Sequence, residues 1–279
     1  MVIVFKNYLS REEVKALRNE CNVYMSAYDK LGVDFSTSGA ALDLFEFSNL
    51  PPRCSIRTAP SSYFEERWKK SSSVDIIDKD TIKSVILERL PKIAQYFFQS
   101  PAPVYLFNEH YVVKEQQSTL AFKWHTDGNE QLPLQSPSAA PYVSIWCALH
   151  DVSSLNGTIA FSEREKIDII DCNTMNAEQE QRIENKSNLE PPTEEVGQEL
   201  SLGEGSIVAF SSDTWHRSGV NLSSDSRCVF YAQYSSKVIP SFDAVNQNSR
   251  KRQRTDEEEE EGEEEKGEEY PLSFAIKCQ

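Results

Sequence analysis

Two periodicities divide this chain. In residues 10–28, Val14, Leu17 and Cys21 recur at helical spacing, and Ser10-Arg11-Glu12-Glu13 stands in front of them as a capping box. The spacing predicts a helix whose apolar stripe packs on a larger body. A second helix is predicted from about Asp80 to Phe98, with Ile82, Val85, Ile86, Ile93 and Phe97 on one face and Pro91 kinking or dividing it. Between the two, residues 30–75 are rich in Ser, Pro and aromatics without a clear period and read as irregular structure wrapped over a core. From Val104 onward the period is two. Short apolar or alternating runs at 104–113, 118–125, 142–149, 157–161, 206–210 and 227–235 predict strands. Helices gathered at one end, followed by many short strands, predict a mainly β fold: a sandwich or jelly roll in an N-terminal helical jacket. The polar segment 163–199, with Pro191-Pro192, reads as an insertion loop crossing the rim.

Composition adds a boundary. The chain has 279 residues, 39% of them hydrophobic, enough for a substantial core. Four cations lie at 250–254, and eleven acids stand against Lys266 in 255–269. Taking these and Lys277 out of the total of −15 leaves −10 for residues 1–249, so a phosphate-tracking nucleic-acid groove is disfavoured. The expected organisation is one domain over 1–245 (helical jacket within 1–100, jelly-roll core 100–240), a disordered basic-then-acidic segment at 246–270 and a C-terminal tail at 271–279. The basic cluster reads as solvating or as a nuclear address, and the acidic run as a contact for a basic protein partner. No apolar run approaches the roughly 18 residues of a membrane span, and the apolar start is too short for a signal peptide. A cytoplasmic or nuclear protein is expected. Six scattered cysteines without a C-x-x-C pair read as reduced, mostly buried thiols.

Only four histidines are available for chemistry: His110, His125, His150 and His216. His125-Thr126-Asp127 sets an imidazole and a carboxylate two positions apart at a strand end, where alternation points both to one face. His216 follows the β-rich run Gly205–Phe210 and supplies a third ligand on the same layer. Two imidazoles and a carboxylate on one side of an ion suit non-haem Fe(II) oxygen chemistry, with zinc as the competitor. Eleven residues later Arg227 opens an apolar strand, and an inward guanidinium needs an anion. A dicarboxylate that chelates iron at one end and reaches Arg227 at the other, such as 2-oxoglutarate, satisfies both.

Together these stretches resemble the phytanoyl-CoA dioxygenase family of Fe(II)/2-oxoglutarate oxygenases. The resemblance is carried by Leu106-Phe107-Asn108 through Lys114, Trp124-His125-Thr126-Asp127-Gly128, Val143 through Leu149 with Asn156-Gly157, and Gly203 through Tyr234. It implies a double-stranded β-helix (jelly roll, cupin-like) core, with His125, Asp127 and His216 as iron ligands. It further implies Arg227 and Ser218 on the distal carboxylate of 2-oxoglutarate, Trp146 lining the co-substrate pocket, and O2 as oxidant with ascorbate stimulatory. His110 falls at a further co-substrate position or is an ordinary core histidine, Lys69 or Lys70 aligns loosely with another contact, and His150 reads as structural or surface. Asp127 fills the position that halogenating relatives leave for chloride, so hydroxylation of a small molecule, including a lipid or acyl-type one, is the expected reaction. The chain departs from the family at Phe161-Ser162-Glu163-Arg164-Glu165, which bears on substrate recognition, and it ends without a peroxisomal signal. The alternatives are a non-catalytic jelly-roll scaffold or an oxygenase acting on a nuclear protein.

Overall fold

The central strands are buried along both faces, which is why they read as continuous apolar runs rather than strict alternation. The computed structural model describes residues 1–30, 40–43, 63–64, 67–68, 76–130, 142–173, 191–193, 197–237 and 276–278. In chain order the elements are β1 (Val2–Lys6), α1 (Arg11–Lys30), β2 (Ala40–Asp43), α2 (Lys79–Ser84), α3 (Leu90–Phe98), β3 (Val104–Lys114), β4 (Phe122–His125) and α4 (Asp127–Glu130). Then follow β5 (Tyr142–Ala148), β6 (Ile159–Phe161), β7 (Ile167–Asp171), β8 (Gln198–Glu199), β9 (Ile207–Ser211), β10 (His216–Ser218), β11 (Arg227–Ser235) and β12 (Ile276–Cys278). The larger sheet runs β12-β3-β11-β5-β9-β1-β7, with β2 also paired to β3, and the smaller runs β4-β10-β6-β8. The result is a mainly β jelly roll.

Alternation sorts each strand's residues between two cores. Ile3, Phe5, Ile145, Cys147, Phe230 and Ala232 face the helices, where Val14, Leu17 and Cys21 of α1 and Ile93 and Phe97 of α3 complete one apolar cluster. Val2, Val4, Trp146, Val208, Phe210 and Val229 face the smaller sheet and pack with Ile159 and Phe161. The capping box forms as expected: Ser10 N–H donates to Glu13 Oε2 at 2.7 Å and Glu13 N–H to Ser10 Oγ at 3.2 Å. Between α2 and α3 the backbone runs as a π-helical turn over Val85–Arg89, directly before Pro91. Proline has no N–H to give to the preceding turn and its ring crowds that carbonyl, so one widened turn lets the helical path continue.

Several segments differ from the sequence expectation. Val2–Lys6, expected within the helical jacket, is a strand inside the main sheet, antiparallel to β9 and parallel to β7. The segment 163–199, read as an insertion loop, contributes β7 and β8, while residues 174–190 lie outside the described residues. The run at 118–125 is strand only over Phe122–His125. Residues 30–75, read as irregular, contain β2 and helical residues at Tyr63-Phe64 and Arg67-Trp68. Past the basic and acidic segment at 246–270, itself outside the described residues, the expected tail returns as β12 and pairs with Val104, Tyr105 and Leu106 of β3.

A buried ionic cluster ties the jacket to the sheet. Arg67, 4% exposed, grips Glu20 of α1 through Nε (2.9 Å) and Nη2 (2.6 Å) and reaches Glu109 of β3 through Nη1. Trp68 Nε1–H and Tyr111 O–H each donate to Glu20 at 2.6 Å. Burial works against the charge of the Arg67 guanidinium, but the charge and hydrogen bonds of Glu20 outweigh it and keep the group firmly protonated.

Candidate metal and anion site

Strand register brings the two imidazoles together. β10 lies between β4 and β6, and His216 is the direct cross-strand partner of His125, with ring centroids 4.2 Å apart. Each ring is held by its own backbone: His125 Nδ1 lies 2.7 Å from the Lys123 carbonyl and His216 Nδ1 3.0 Å from that of Thr214. A carbonyl only accepts, so Nδ1 carries the proton and the Nε2 lone pair is left for the site. His216 is buried against Phe210, 4.7 Å away, and burial pushes its pKa down to about 4 against the pull of Asp127. It is therefore neutral near pH 7, the form that ligates metals.

Asp127 arrives by a different route from the one alternation suggested. His125 is the last residue of β4, whereas Asp127 opens α4, and the turn is pinned by Gly128 N–H donating to the Ser212 carbonyl at 2.8 Å. Its carboxylate is divided in function. Oδ2 accepts from Ser144 Oγ, from Tyr231 O–H and, at 3.2 Å, from Gln233 Nε2. Oδ1 lies 3.6 Å from His216 Nε2. Burial, then the charge of Asp127, holds the Tyr231 phenol well above its ordinary pKa, so it remains a donor. One ligand atom each from His125, Asp127 and His216 falls within a 4.8 Å group. Two imidazole nitrogens and one carboxylate oxygen fit a divalent iron site with an open side.

The neighbouring cavity, about 230 Å³, is lined by His125, Asp127 and His216 together with His110, Trp146, Ser218, Arg227 and Tyr231. Arg227 is 1% exposed. Its Nη2 donates to the Gly157 carbonyl and its Nε to the Asn156 carbonyl at 3.3 Å, but its buried Nη1 has no hydrogen-bond partner. Its guanidinium lies 5.8 Å from the Trp146 ring centroid, and burial without a compensating carboxylate pulls its pKa down to about 10. A buried guanidinium without a counter-charge is costly, and an anion in the cavity would offset that cost. Gly157 makes the grip possible. It has φ +75°, and a Cβ there would come within 2.5 Å of the Gly219 carbonyl oxygen.

The structure thus brings His125, Asp127, His216, Arg227, Ser218 and Trp146 around one cavity. His110 stacks on Tyr231 with centroids 4.8 Å apart. His150 accepts the Cys228 N–H at 3.1 Å on its Nδ1, which is a structural contact. Lys69 and Lys70 lie outside the described residues. Ser144, Tyr231 and Gln233 join the site beyond the sequence expectation, although a signal exists: counting by two from Arg227 puts Tyr231 and Gln233 on its face, and a glutamine in an apolar strand is conspicuous. Gln233 also accepts from Asn108 Nδ2 at 2.9 Å. Lys114, in sequence only the end of a motif, is the cross-strand partner of Arg227.

No relative was found among curated proteins. Solved structures that share the fold include the non-heme alpha ketoglutarate dependent carbocyclase SnoK from nogalamycin biosynthesis, 17% identical over 99% of this chain and 91% of that one, with a TM-score of 0.53, and the epimerase SnoN in complex with Fe3+, alpha ketoglutarate and nogalamycin RO, 13% identical over 100% and 91%, with a TM-score of 0.52. At such identities the likeness concerns the fold. The phytanoyl-CoA dioxygenase family model matches residues 2–229, nearly the whole described domain. The chain therefore belongs to the phytanoyl-CoA dioxygenase family of iron- and 2-oxoglutarate-dependent oxygenases.

Proposed function

We propose that this protein hydroxylates a C–H bond of a small organic substrate, a class that includes lipid and acyl-type compounds, with release of succinate and CO2. His125, Asp127 and His216 hold the iron, Arg227 and Ser218 take the distal carboxylate of 2-oxoglutarate, and Trp146 lines the co-substrate pocket. Bound there, Fe(II) and 2-oxoglutarate supply the activation of O2 and the oxidising power. The protein's residues supply register. The Lys123 and Thr214 carbonyls fix the two imidazole tautomers. Ser144, Tyr231 and Gln233 hold one oxygen of Asp127 so that the other faces the metal position. The Asn156 and Gly157 carbonyls aim Arg227 so that Nη1 is the donor left for the ligand.

The observation that carries this reading is that Arg227, whose buried Nη1 has no hydrogen-bond partner, lines the same cavity as the His/Asp/His group. A scaffold would keep neither feature without cost, since an unpaired buried guanidinium and a preoriented ligand set destabilise a fold that does not use them. The net charge of −10 on residues 1–249 supports a small molecule over a nucleic acid, as does the small molecule named in the SnoN complex. The test is succinate production from purified protein with Fe(II), ascorbate, 2-oxoglutarate and a metabolite extract. Succinate that rises with one extract fraction, and is lost in Asp127→Ala, is expected; no succinate in any fraction, with Fe(II) affinity unchanged in Asp127→Ala, would overturn the proposal.

A further inference from the structure

Lys114 is fully buried at the end of β3, and its cross-strand partner is Arg227. Like charges directly opposite on neighbouring strands destabilise a sheet, and burial in a dry interior sharpens the cost. Among the described contacts neither cation meets a carboxylate. Lys114 Nζ donates to Ser218 Oγ at 2.8 Å and to the Gly219 carbonyl, and it lies 5.3 Å from the Phe122 ring centroid. Its ammonium has only donors, so in this contact Ser218 is the acceptor and its own O–H must point elsewhere. Ser218 and Arg227 line the cavity and Lys114 does not, so the cavity is the side on which the Ser218 hydroxyl is left to donate.

We propose that Lys114 is a positioning residue of the anion subsite: it orients the Ser218 hydroxyl as a donor into the cavity and adds a second positive charge behind Arg227, so that the site selects 2-oxo acids bearing a distal carboxylate. This rests on the co-substrate reading above. The depressed pKa of Lys114, about 7 through burial and then the charges of Arg227 and Arg217, accords with a cation whose counter-charge is the ligand.

The test uses calorimetric titration of Ni(II)-loaded protein, which does not turn over, with 2-oxoglutarate and with 2-oxobutanoate, which lacks the distal carboxylate. Wild type, Lys114→Met, Ser218→Ala, the double variant and Arg227→Met are compared. Lys114→Met is expected to raise the Kd of 2-oxoglutarate about tenfold and leave that of 2-oxobutanoate unchanged, with the double variant little worse than either single. Should Lys114→Met not fold, Lys114→Gln, which keeps a donor for Ser218 and loses the charge, is expected to give a rise of severalfold. An unchanged Kd in the lysine variants with a raised one in Arg227→Met would overturn the role of Lys114 alone. Additive losses in the double variant would overturn the coupling through Ser218. An unchanged Kd in Arg227→Met as well would overturn the co-substrate reading itself.

Discussion

Tyr231 shows how a single hydroxyl shapes this site. It shares Oδ2 of Asp127 with Ser144 and Gln233, which leaves Oδ1 facing His216 Nε2. Groups that orient a metal ligand from behind typically matter about 10–100-fold in metal affinity, so Tyr231→Phe is expected to weaken Fe(II) binding by that order while melting temperature changes little. Under the proposed assignment Arg227→Ala removes a charge-assisted bond worth about 1.5–3 kcal/mol and is expected to raise the KM for 2-oxoglutarate between about tenfold and a few hundredfold, measured by steady-state succinate release. Lys114 carries a pH signature. Its folded pKa of about 7 lies below the ordinary lysine value of 10.5, so the folded state holds fewer protons between those limits and stability rises with pH across them. The penalty is complete below about pH 7 and fades toward pH 10.5. In protein free of metal and co-substrate, the difference in melting temperature between Lys114→Met and wild type is expected to shrink as pH rises from about 7 to about 9, and a constant difference would contradict the assignment.

At the scale of elements, the legible and the hidden features of this fold have identifiable causes. Ser10 and Glu13 announce α1 because a capping box is local chemistry, and Arg227 announces a buried guanidinium because it opens an apolar strand. Val2–Lys6 does not read as a strand: both of its partners, β9 and β7, come from about 160 residues or more away, and nothing local distinguishes a short apolar opening. The meeting of His125 with His216 rests likewise on β4–β10 register, which the sequence spacing allows but does not determine. The Asn156-Gly157 turn is visible as a motif, yet its work of holding Arg227 by two carbonyls depends on tertiary geometry. The cluster of Glu20, Arg67 and Glu109 joins α1, the helical residues near Arg67 and β3. Arg67→Met removes the cation that two buried carboxylates share and is expected to cost about 3–5 kcal/mol by denaturant unfolding, whereas a loss below about 1 kcal/mol would show the jacket to be held by apolar packing alone.

Taken whole, the molecule returns its chain end to its own sheet. β12 pairs with Val104–Leu106, so the basic and acidic stretch is bracketed by strands on both sides, with β11 ending at Ser235 and β12 beginning at Ile276. Truncation after residue 270 is expected to lower the melting temperature by uncovering a stretch of β3, an unpaired sheet edge. Excising residues 250–269 and rejoining the chain is expected to leave both stability and iron binding unchanged, and matching losses from the two deletions would contradict the separation. The larger and smaller sheets meet in one apolar core and each contributes to the site: β4 and β10 bring the histidines, while β5 and β11 bring Ser144, Tyr231, Gln233 and Arg227. An anaerobic calorimetric titration of Fe(II) into the protein with saturating 2-oxoglutarate addresses that convergence most directly. One Fe(II) per chain is expected, lost in His216→Ala and in His125→Ala; retention of full stoichiometry and affinity in both variants would contradict it.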